Sequence, residues 1–297
     1  MPLAELTDVR CYYELSGQGD PLVLIPGLGC TCRSWDPVRD ELGEHFTLVC
    51  LDNRGMGRSV AKRQPHTLGD YSADVVELLD HLQLDHAHVL GISLGGIIAQ
   101  RFAVDHPERV NRLVLVSCAH RFGPYLWEIA GLVGQSLRYF PAKLFTRTLE
   151  ILGGGPAYLD AHPESIDQKV AEVAKNPVPR HALARQLHCL AASNPEPEDY
   201  RITAPTLVIS GEHDSLIPHY FARKMADVIP DSRFMLIPDA GHNPFTECPD
   251  QVLPPIIEFL SAAEPAPDRE AKEQPAKGNG KQQSAISNQP RQFVANG

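Results

Sequence analysis

The stretch that decides the fold is VLGISLGGII, residues 89–98, in which three glycines surround one serine within an apolar run. The segment AHVLGI predicts a buried strand, and LGGIIAQRFAV, directly after Ser93, predicts a helix. A strand that turns straight into a helix strains the junction residue and crowds the positions two before and two after it. Gly91 and Gly95 occupy those positions. The pattern therefore predicts an exposed Ser93 hydroxyl at a helix N-terminus, where the helix dipole favours negative charge.

Outward from Ser93, short β-branched runs alternate with segments of helical spacing, which is typical of βαβ units on a mostly parallel sheet. The predicted core strands are residues 22–25, 47–52, 87–92, 112–117, 206–210 and 233–238. The predicted helices are residues 35–43, 69–82, 94–104, 222–228 and 250–261. An earlier run, YYELSG, predicts an antiparallel strand at the edge of the sheet.

The alternation breaks once, between residues 117 and 201, where apolar residues recur at helical spacing without a clear buried strand. We therefore expect an α/β core of residues 1–118 and 202–262, with residues 119–201 inserted as a helical cap. Such an insertion can lie over the carboxyl edge of the sheet, where open α/β sheets bind ligands. Residues 263–297 are rich in Pro, Gln, Lys, Ala and Asn, and this composition predicts a disordered tail.

Composition excludes several classes of protein. Of the 297 residues, 43% are hydrophobic, and the net charge of −10 argues against nucleic acid or anionic membranes as partners. No apolar run approaches the roughly 20 residues that span a bilayer, and the first residues lack the features of a signal peptide, so a cytoplasmic location is expected. The seven scattered cysteines are expected to be reduced thiols. No metal or cofactor is expected, because neither HExxH nor clustered carboxylates occur.

A serine hydroxyl becomes a good nucleophile when a base accepts its proton and an acid orients that base. His242 lies in PDAGHNPF, directly after the last predicted strand, and Asp214 lies in SGEHDSLIP, after the preceding predicted strand. Both positions follow strand ends, as Ser93 does. The three side chains are therefore expected at the same edge of the sheet.

Other histidines and acids offer alternatives to this set. His213 belongs to the turn of the acid and is a rival base. Asp239 and Glu247 flank His242 in the sequence, too closely for their carboxylates to reach its imidazole ring from the far side. His86 and His88 form an HxH pair with metal-like spacing, yet they precede the buried strand, at the opposite edge. Three further histidines fall in the insertion, namely His120, His181 and His188.

Acyl transfer also needs two backbone N–H groups directed at the developing oxyanion. One donor is expected from Leu94, the residue after the nucleophile. The loop IPGLGCTCRSW follows the first core strand, and its glycines on both sides of Leu28 allow the chain to bend. We therefore expect the Leu28 N–H to be the second donor.

Five motifs in this order resemble the α/β-hydrolase superfamily over roughly residues 8–262. PGLG (residues 26–29) is similar to its oxyanion loop and DNRGMGRS (52–59) to the turn after the next strand. GISLG (91–95) resembles the nucleophile elbow, GEHD (211–214) the acid turn and AGH (240–242) the histidine loop. The resemblance implies an α/β-hydrolase fold and a triad of Ser93, Asp214 and His242.

Spacing and the single helical insertion look most like 3-oxoadipate enol-lactonases and small bacterial carboxylesterases, which implies cleavage of an ester or lactone through an acyl-enzyme. A lactone that carries a carboxylate would need a cationic anchor, for which the insertion offers Arg121, Arg138, Arg180 and Arg185. Alternative reactions are carbon–carbon bond hydrolysis and cofactor-free perhydrolysis. A non-catalytic ligand receptor is a further alternative, which the intact triad makes less favoured. Substrate identity and oligomeric state are not set by the sequence.

Overall fold

The fold is described from a computed structural model, which covers residues 2–62, 66–192 and 201–262. Residues 263–297, for which the composition predicts a disordered tail, lie outside the described residues. Within the described part of the chain, no helix combines the length and apolar character needed to cross a membrane.

A mostly parallel sheet forms the centre of the fold. Its strands are β1 Leu3–Glu5, β2 Val9–Gly17, β3 Asp20–Ile25, β4 Phe46–Leu51, β5 Val60–Ala61, β6 Ala87–Ile92, β7 Val110–Val116, β8 Thr206–Gly211 and β9 Ser232–Ile237. Their order in the sheet is β1-β2-β4-β3-β6-β7-β8-β9, and the short β5 pairs with β2. Strands β3, β4 and β6 to β9 are parallel to one another, whereas β2 is antiparallel to β1, β4 and β5.

The central strands are apolar at successive positions because both faces of the sheet are covered. In β3, Val23 and Ile25 belong to one core cluster, while Leu22 and Leu24 belong to the cluster on the other face. Successive side chains of a strand point to opposite faces, so a strand buried on both sides needs an unbroken apolar run.

Helices pack on both faces of this sheet. Side chains of α2, α3 and α9 contribute to one core cluster, and those of α1 and α11 contribute to the other. Helix α2 begins with a capping box, in which Thr67 and Asp70 exchange side-chain and backbone hydrogen bonds. The helices on the sheet are α1 Asp36–Gly43, α2 Leu68–His81, α3 Leu94–Asp105, α9 His219–Val228 and α11 Pro249–Ser261.

In the described part of the chain, five helices lie between β7 and β8, namely α4 Pro124–Tyr139, α5 Ala142–Gly153, α6 Pro156–Ala161, α7 Ser165–Lys175 and α8 Arg180–Ala192. An apolar cluster formed by three of them, α4, α5 and α8, packs against loops of the sheet. Val133, Phe145 and Leu183 are buried in this cluster, against which Leu28 and Leu216 also pack. Leu28 and Leu216 belong to loops that follow β3 and β8, so the inserted helices cover the carboxyl edge of the sheet there.

The predicted α/β-hydrolase fold, a mostly parallel sheet flanked by helices, is confirmed, with strand ends that differ from the predicted ones by at most two residues. One detail of the prediction needs correction. The run YYELSG belongs to β2, which is antiparallel as expected, but β1 pairs with residues 10–12 on its outer side. The first half of β2 is therefore an inner strand, because the preceding residues fold back to cover it.

Candidate active site

Ser93 occupies a strained turn between β6, which ends at Ile92, and α3, which begins at Leu94. Its φ is +55° and its ψ is −121°, a backbone conformation that an L-residue adopts only where its surroundings enforce it. The Ser93 N–H donates to the carbonyl oxygen of Val116 at 2.9 Å, and its own carbonyl accepts the N–H of Ile97 at 3.1 Å. These bonds fix a half-exposed serine at the N-terminus of α3.

The glycines around Ser93 are required by the close approach of other atoms. A Cβ on Gly91 would lie under 3.0 Å from the carbonyl oxygen of Gly95, and one on Gly95 would collide with the carbonyl oxygen of Ile25. A Cβ on Gly96 would meet the Sγ of Cys118 in the same way. The elbow therefore has no space for side chains at these three positions, as the sequence pattern predicts for Gly91 and Gly95.

His242 and Asp214 are joined by a hydrogen bond of 2.7 Å between Nδ1 of the ring and Oδ2 of the carboxylate. The other carboxylate oxygen of Asp214 accepts the backbone N–H groups of Leu216 and Ile217, each at 2.9 Å. Asp214 is buried, whereas 16% of the His242 side chain is exposed. The carboxylate is thus held from both sides, and the ring has its Nδ1 edge fixed and Nε2 left for another partner.

The electrostatic surroundings of His242 are negative. Burial by itself lowers the pKa of the ring, but the carboxylate of Asp214, followed by those of Glu247 and Glu150, outweighs burial and raises the pKa of His242 above its ordinary value. A protonated imidazole is therefore stabilised in this position, as is needed when the ring accepts a proton during a reaction.

Neighbouring strands bring Ser93, Asp214 and His242 to one edge of the sheet. Ser93 follows β6, Asp214 follows β8 and His242 follows β9, and β6 to β9 are consecutive parallel strands. Backbone hydrogen bonds also join the segments that follow these strands. The Ser93 N–H donates to Val116 at the end of β7, and the His213 N–H donates to the carbonyl oxygen of Ala240 at 2.8 Å. All three residues stand at the carboxyl ends of their strands, where the sequence predicts them.

The loop after β3 lies against Ser93. A Cβ on Gly27 would stand 3.4 Å from the Cβ of Ser93. Of the predicted oxyanion donors, Leu28 lies in this loop, directly after Gly27, and Leu94 is the first residue of α3.

Two side chains brace this loop, and sequence reasoning did not identify either of them. Asn53 Nδ2 donates to the carbonyl oxygen of Pro26 at 3.0 Å, and Gln186 Oε1 accepts the N–H of Gly29 at 2.9 Å. Asn53 lies in the DNRGMGRS turn, so its place in a family motif is a signal that was available. Gln186 lies on α8 of the insertion, and nothing in the local pattern distinguishes it.

The rival histidines are directed elsewhere. The His213 side chain is 43% exposed and its Nε2 lies 4.0 Å from Asp239, while its backbone serves the acid turn. His88 is buried within β6, far along the strand from Ser93, and His181 and His188 are exposed on α8. Among the residues that the structure describes, no group of three or more His, Cys, Asp or Glu is arranged to hold a metal ion.

The arginines of the insertion have local partners where the structure records them. The Arg180 guanidinium donates to the carbonyl oxygens of Arg138 and Phe140, at the end of α4. The guanidinium of Arg138 lies over the ring of Tyr139, 5.5 Å from its centroid. Two of the four candidate anchors are therefore engaged at the end of α4.

Comparison with known proteins gives the same fold. The family model for the α/β-hydrolase fold matches residues 20–249. BpoC of Mycobacterium tuberculosis, provisionally named a non-heme bromoperoxidase, is 30% identical over 271 residues, which cover 86% of this chain and 98% of that protein.

Two solved structures extend the comparison to hydrolases. The enol-lactonase from Burkholderia xenovorans LB400 is 25% identical, with a TM-score of 0.78 over 88% of this chain and 100% of that one. A thermophilic esterase from Thermogutta terrifontis is 27% identical, with a TM-score of 0.77 over 88% of this chain and 98% of that one. With the strained serine elbow and the strand order already described, these matches lead to one conclusion: the chain belongs to the α/β-hydrolase superfamily.

Proposed function

We propose that the protein is a serine hydrolase that cleaves a carboxylic ester or lactone through an acyl-enzyme, with Ser93 as nucleophile, His242 as base and Asp214 as the acid that orients it. The observation that carries this proposal is the 2.7 Å bond between His242 Nδ1 and Asp214 Oδ2. A proton held on Nδ1 by this bond leaves the Nε2 lone pair free to accept the proton of Ser93.

Acylation begins when Ser93 Oγ attacks the substrate carbonyl as its proton passes to His242 Nε2. The N–H groups of Leu28 and Leu94 bind the resulting oxyanion, and one such donor is typically worth about 3 kcal/mol of transition-state stabilisation. When the tetrahedral intermediate collapses, the bond to the leaving oxygen breaks. His242 then gives its proton to that oxygen, and the alcohol departs.

Deacylation repeats these steps with water as the nucleophile. His242 takes a proton from the water, whose oxygen attacks the acyl carbonyl on Ser93, and the same donors stabilise the second oxyanion. Collapse returns the proton to Ser93 Oγ and releases the carboxylic acid. The Asp214 carboxylate stabilises the protonated ring through its bond to Nδ1.

We also propose that residues 119–201 act as a cap over this site, carried by a core of residues 1–118 and 202–262. Support comes from three contacts: Gly29 with Gln186, His242 N with the carbonyl oxygen of Gly153, and the apolar cluster that includes Leu28. The apolar side chains that the inserted helices place beside Leu28, namely Val133, Phe145 and Leu183, favour a substrate with an apolar acyl or alcohol part. Among the described residues no two cysteines form a disulfide, which suits a reducing compartment and supports a cytoplasmic location.

Lactone hydrolysis is the narrower form of this proposal, and the similarity to the Burkholderia enol-lactonase favours it. The same residues serve both reactions, because in a lactone the leaving alkoxide stays attached to the acyl group. The ester or lactone preference then depends on the shape of the space beneath the inserted helices.

A panel of p-nitrophenyl esters and simple lactones of increasing chain length tests the proposal. We expect turnover by the wild-type protein and loss of at least about 1,000-fold in Ser93→Ala and His242→Ala, which remove the nucleophile and the base. Turnover that survives in either folded variant contradicts the proposed triad. Hydrolysis of a ring-cleavage dione, or bromination with peroxide, in place of ester turnover would select one of the alternative chemistries.

A further inference from the structure

The three consecutive glycines of the insertion, residues 153–155, end α5 and lead into α6; this glycine turn packs against the histidine loop, residues 240–242. The N–H of His242 donates to the carbonyl oxygen of Gly153. A Cβ on Gly241 would lie under 3.0 Å from backbone atoms of the glycine turn, and a Cβ on Gly155 would meet the carbonyl oxygen of Asp239 as closely. The two segments therefore touch backbone to backbone, which is possible because both are rich in glycine.

One carboxylate joins these two segments. Glu247 Oε2 accepts the N–H of Gly155 at 2.9 Å and that of Gly241 at 2.7 Å, while Oε1 accepts the N–H of Asn243 at 3.2 Å. The short helix α10, Pro244–Glu247, returns the chain so that this side chain reaches back over the loop. Two of the three donors flank His242, and the third belongs to the insertion.

A carboxylate suits this position because it only accepts hydrogen bonds and all its partners are donors. An amide of the same shape would place an NH₂ group against at least one of the three N–H groups. The partners and their geometry thus specify both the length and the charge of the side chain at residue 247.

We propose that Glu247 is a positioning residue for His242, whose carboxylate fastens the histidine loop to the glycine turn and so holds the imidazole against Asp214. This inference rests on the proposed function for its effect on turnover. The glycine turn, which has no other part in the mechanism, would then connect the insertion to the loop that carries the proposed base.

The negative charge of Glu247 also affects the pKa of His242, which a purely structural hydrogen bond would not do. Burial lowers the pKa of the His242 ring, but the negative charges of Asp214 in the loop after β8, Glu247 on α10 and Glu150 on α5 together outweigh burial and raise it. Removal of the Glu247 charge therefore lowers the pKa of His242, whereas shortening the side chain with the charge retained does so less.

The test compares Glu247→Gln, which keeps the shape and loses the charge, with Glu247→Asp, which keeps the charge and loses one methylene. Glu258→Gln, an exposed position on α11, is the matched control for the loss of one negative charge. We expect both variants at residue 247 to lower kcat by about 10- to 100-fold with little change in KM, as when a reacting group is displaced by about 1 Å. The control should retain the wild-type kcat.

Two further readouts do not need substrate. Titration of the His242 ring by NMR should show a lower pKa in Glu247→Gln and a value closer to wild type in Glu247→Asp. Hydrogen exchange of the Gly155 and Gly241 amides should be faster in both variants than in Glu258→Gln. Unchanged exchange at these amides, or equal ring pKa values in Glu247→Gln and wild type, would overturn the positioning role.

These outcomes also separate the two proposals. If the wild-type protein shows no Ser93-dependent turnover while ring titration and exchange respond as expected, the proposed hydrolase function is wrong and the Glu247 contact holds. If turnover depends on Ser93 but neither variant at residue 247 differs from the control, the proposed function holds and the inference about Glu247 is wrong.

Discussion

The backbone N–H of Gly29 donates to the side-chain oxygen of Gln186 at 2.9 Å, across 157 residues of chain. This bond ties α8 of the insertion to the loop that contains Leu28, one of the two proposed oxyanion donors. Asn53 holds the same loop from the other side through the carbonyl oxygen of Pro26. The orientation of the oxyanion donor therefore depends on the insertion as well as on the sheet.

Replacement of the buried Gln186 side chain should lower both the stability of the fold and kcat. In Gln186→Ala the Gly29 N–H loses its acceptor, which costs about 1–3 kcal/mol in the free energy of unfolding. The loosened loop should also lower kcat, by up to about 100-fold. Urea unfolding and steady-state kinetics measure both effects, with the exposed Gln135→Ala on α4 as control. Wild-type kcat in Gln186→Ala contradicts the bracing role.

The elbow provides a sharp test of packing. Gly95→Ala forces a Cβ against the carbonyl oxygen of Ile25, so we expect a loss of soluble folded protein or a fall in unfolding free energy of several kcal/mol. Gly131→Ala is the matched control on α4, where an added Cβ has nothing within 4 Å. That change should be neutral or stabilise by up to about 1 kcal/mol, through helix propensity. Equal thermal stability of the two variants would show that the elbow has room.

Asp214→Asn separates the role of the acid from its place in the fold. The asparagine oxygen can still accept the N–H groups of Leu216 and Ile217, so the turn should persist, while its NH₂ group faces His242 Nδ1 and favours the wrong tautomer. We expect kcat to fall by about 10,000-fold with little change in thermal stability. Asp239→Asn, at an exposed neighbouring loop position, is the control. A larger loss in the Asp239 variant would make Asp239 the orienting acid.

The pH dependence follows from the raised pKa of His242. Neutral imidazole is the active base, so a raised pKa means that a higher pH is needed to deprotonate it. We expect the acid limb of kcat/KM to lie above the ordinary imidazole value of about 6.5. Glu150→Gln removes one of the nearby negative charges and should move that limb to lower pH, whereas the exposed Glu128→Gln should not. A limb at or below 6.5 in the wild-type protein contradicts this electrostatic account.

The parts of the site that the sequence predicts are those that depend on local pattern. Gly91, Ser93 and Gly95 lie within five residues, and Asp214 and His242 each follow a strand that is recognisable in the sequence as an apolar run. Because parallel strands have their carboxyl ends at one edge of the sheet, the prediction of a parallel sheet was enough to place these residues at that edge.

The parts that the sequence does not predict depend on how the insertion packs. Gln186 reaches Gly29 and Glu247 reaches Gly155 only because α8 and the glycine turn between α5 and α6 lie against the loops at the carboxyl edge of the sheet. Helical spacing indicates that these helices exist, but their apolar faces could meet the sheet in several ways. The three consecutive glycines indicate a break between helices, but they do not indicate that this turn contacts the histidine loop.

The central claim is that Ser93 is the activated nucleophile, and covalent labelling by a fluorophosphonate probe tests it most directly. Intact-mass measurement should show one label on each wild-type chain, peptide mapping should place it on Ser93, and Ser93→Ala should take up none. His242→Ala should label far more slowly, because the serine then lacks its base. Absence of label on the folded wild-type protein, or equal labelling of wild type and Ser93→Ala, would contradict the account.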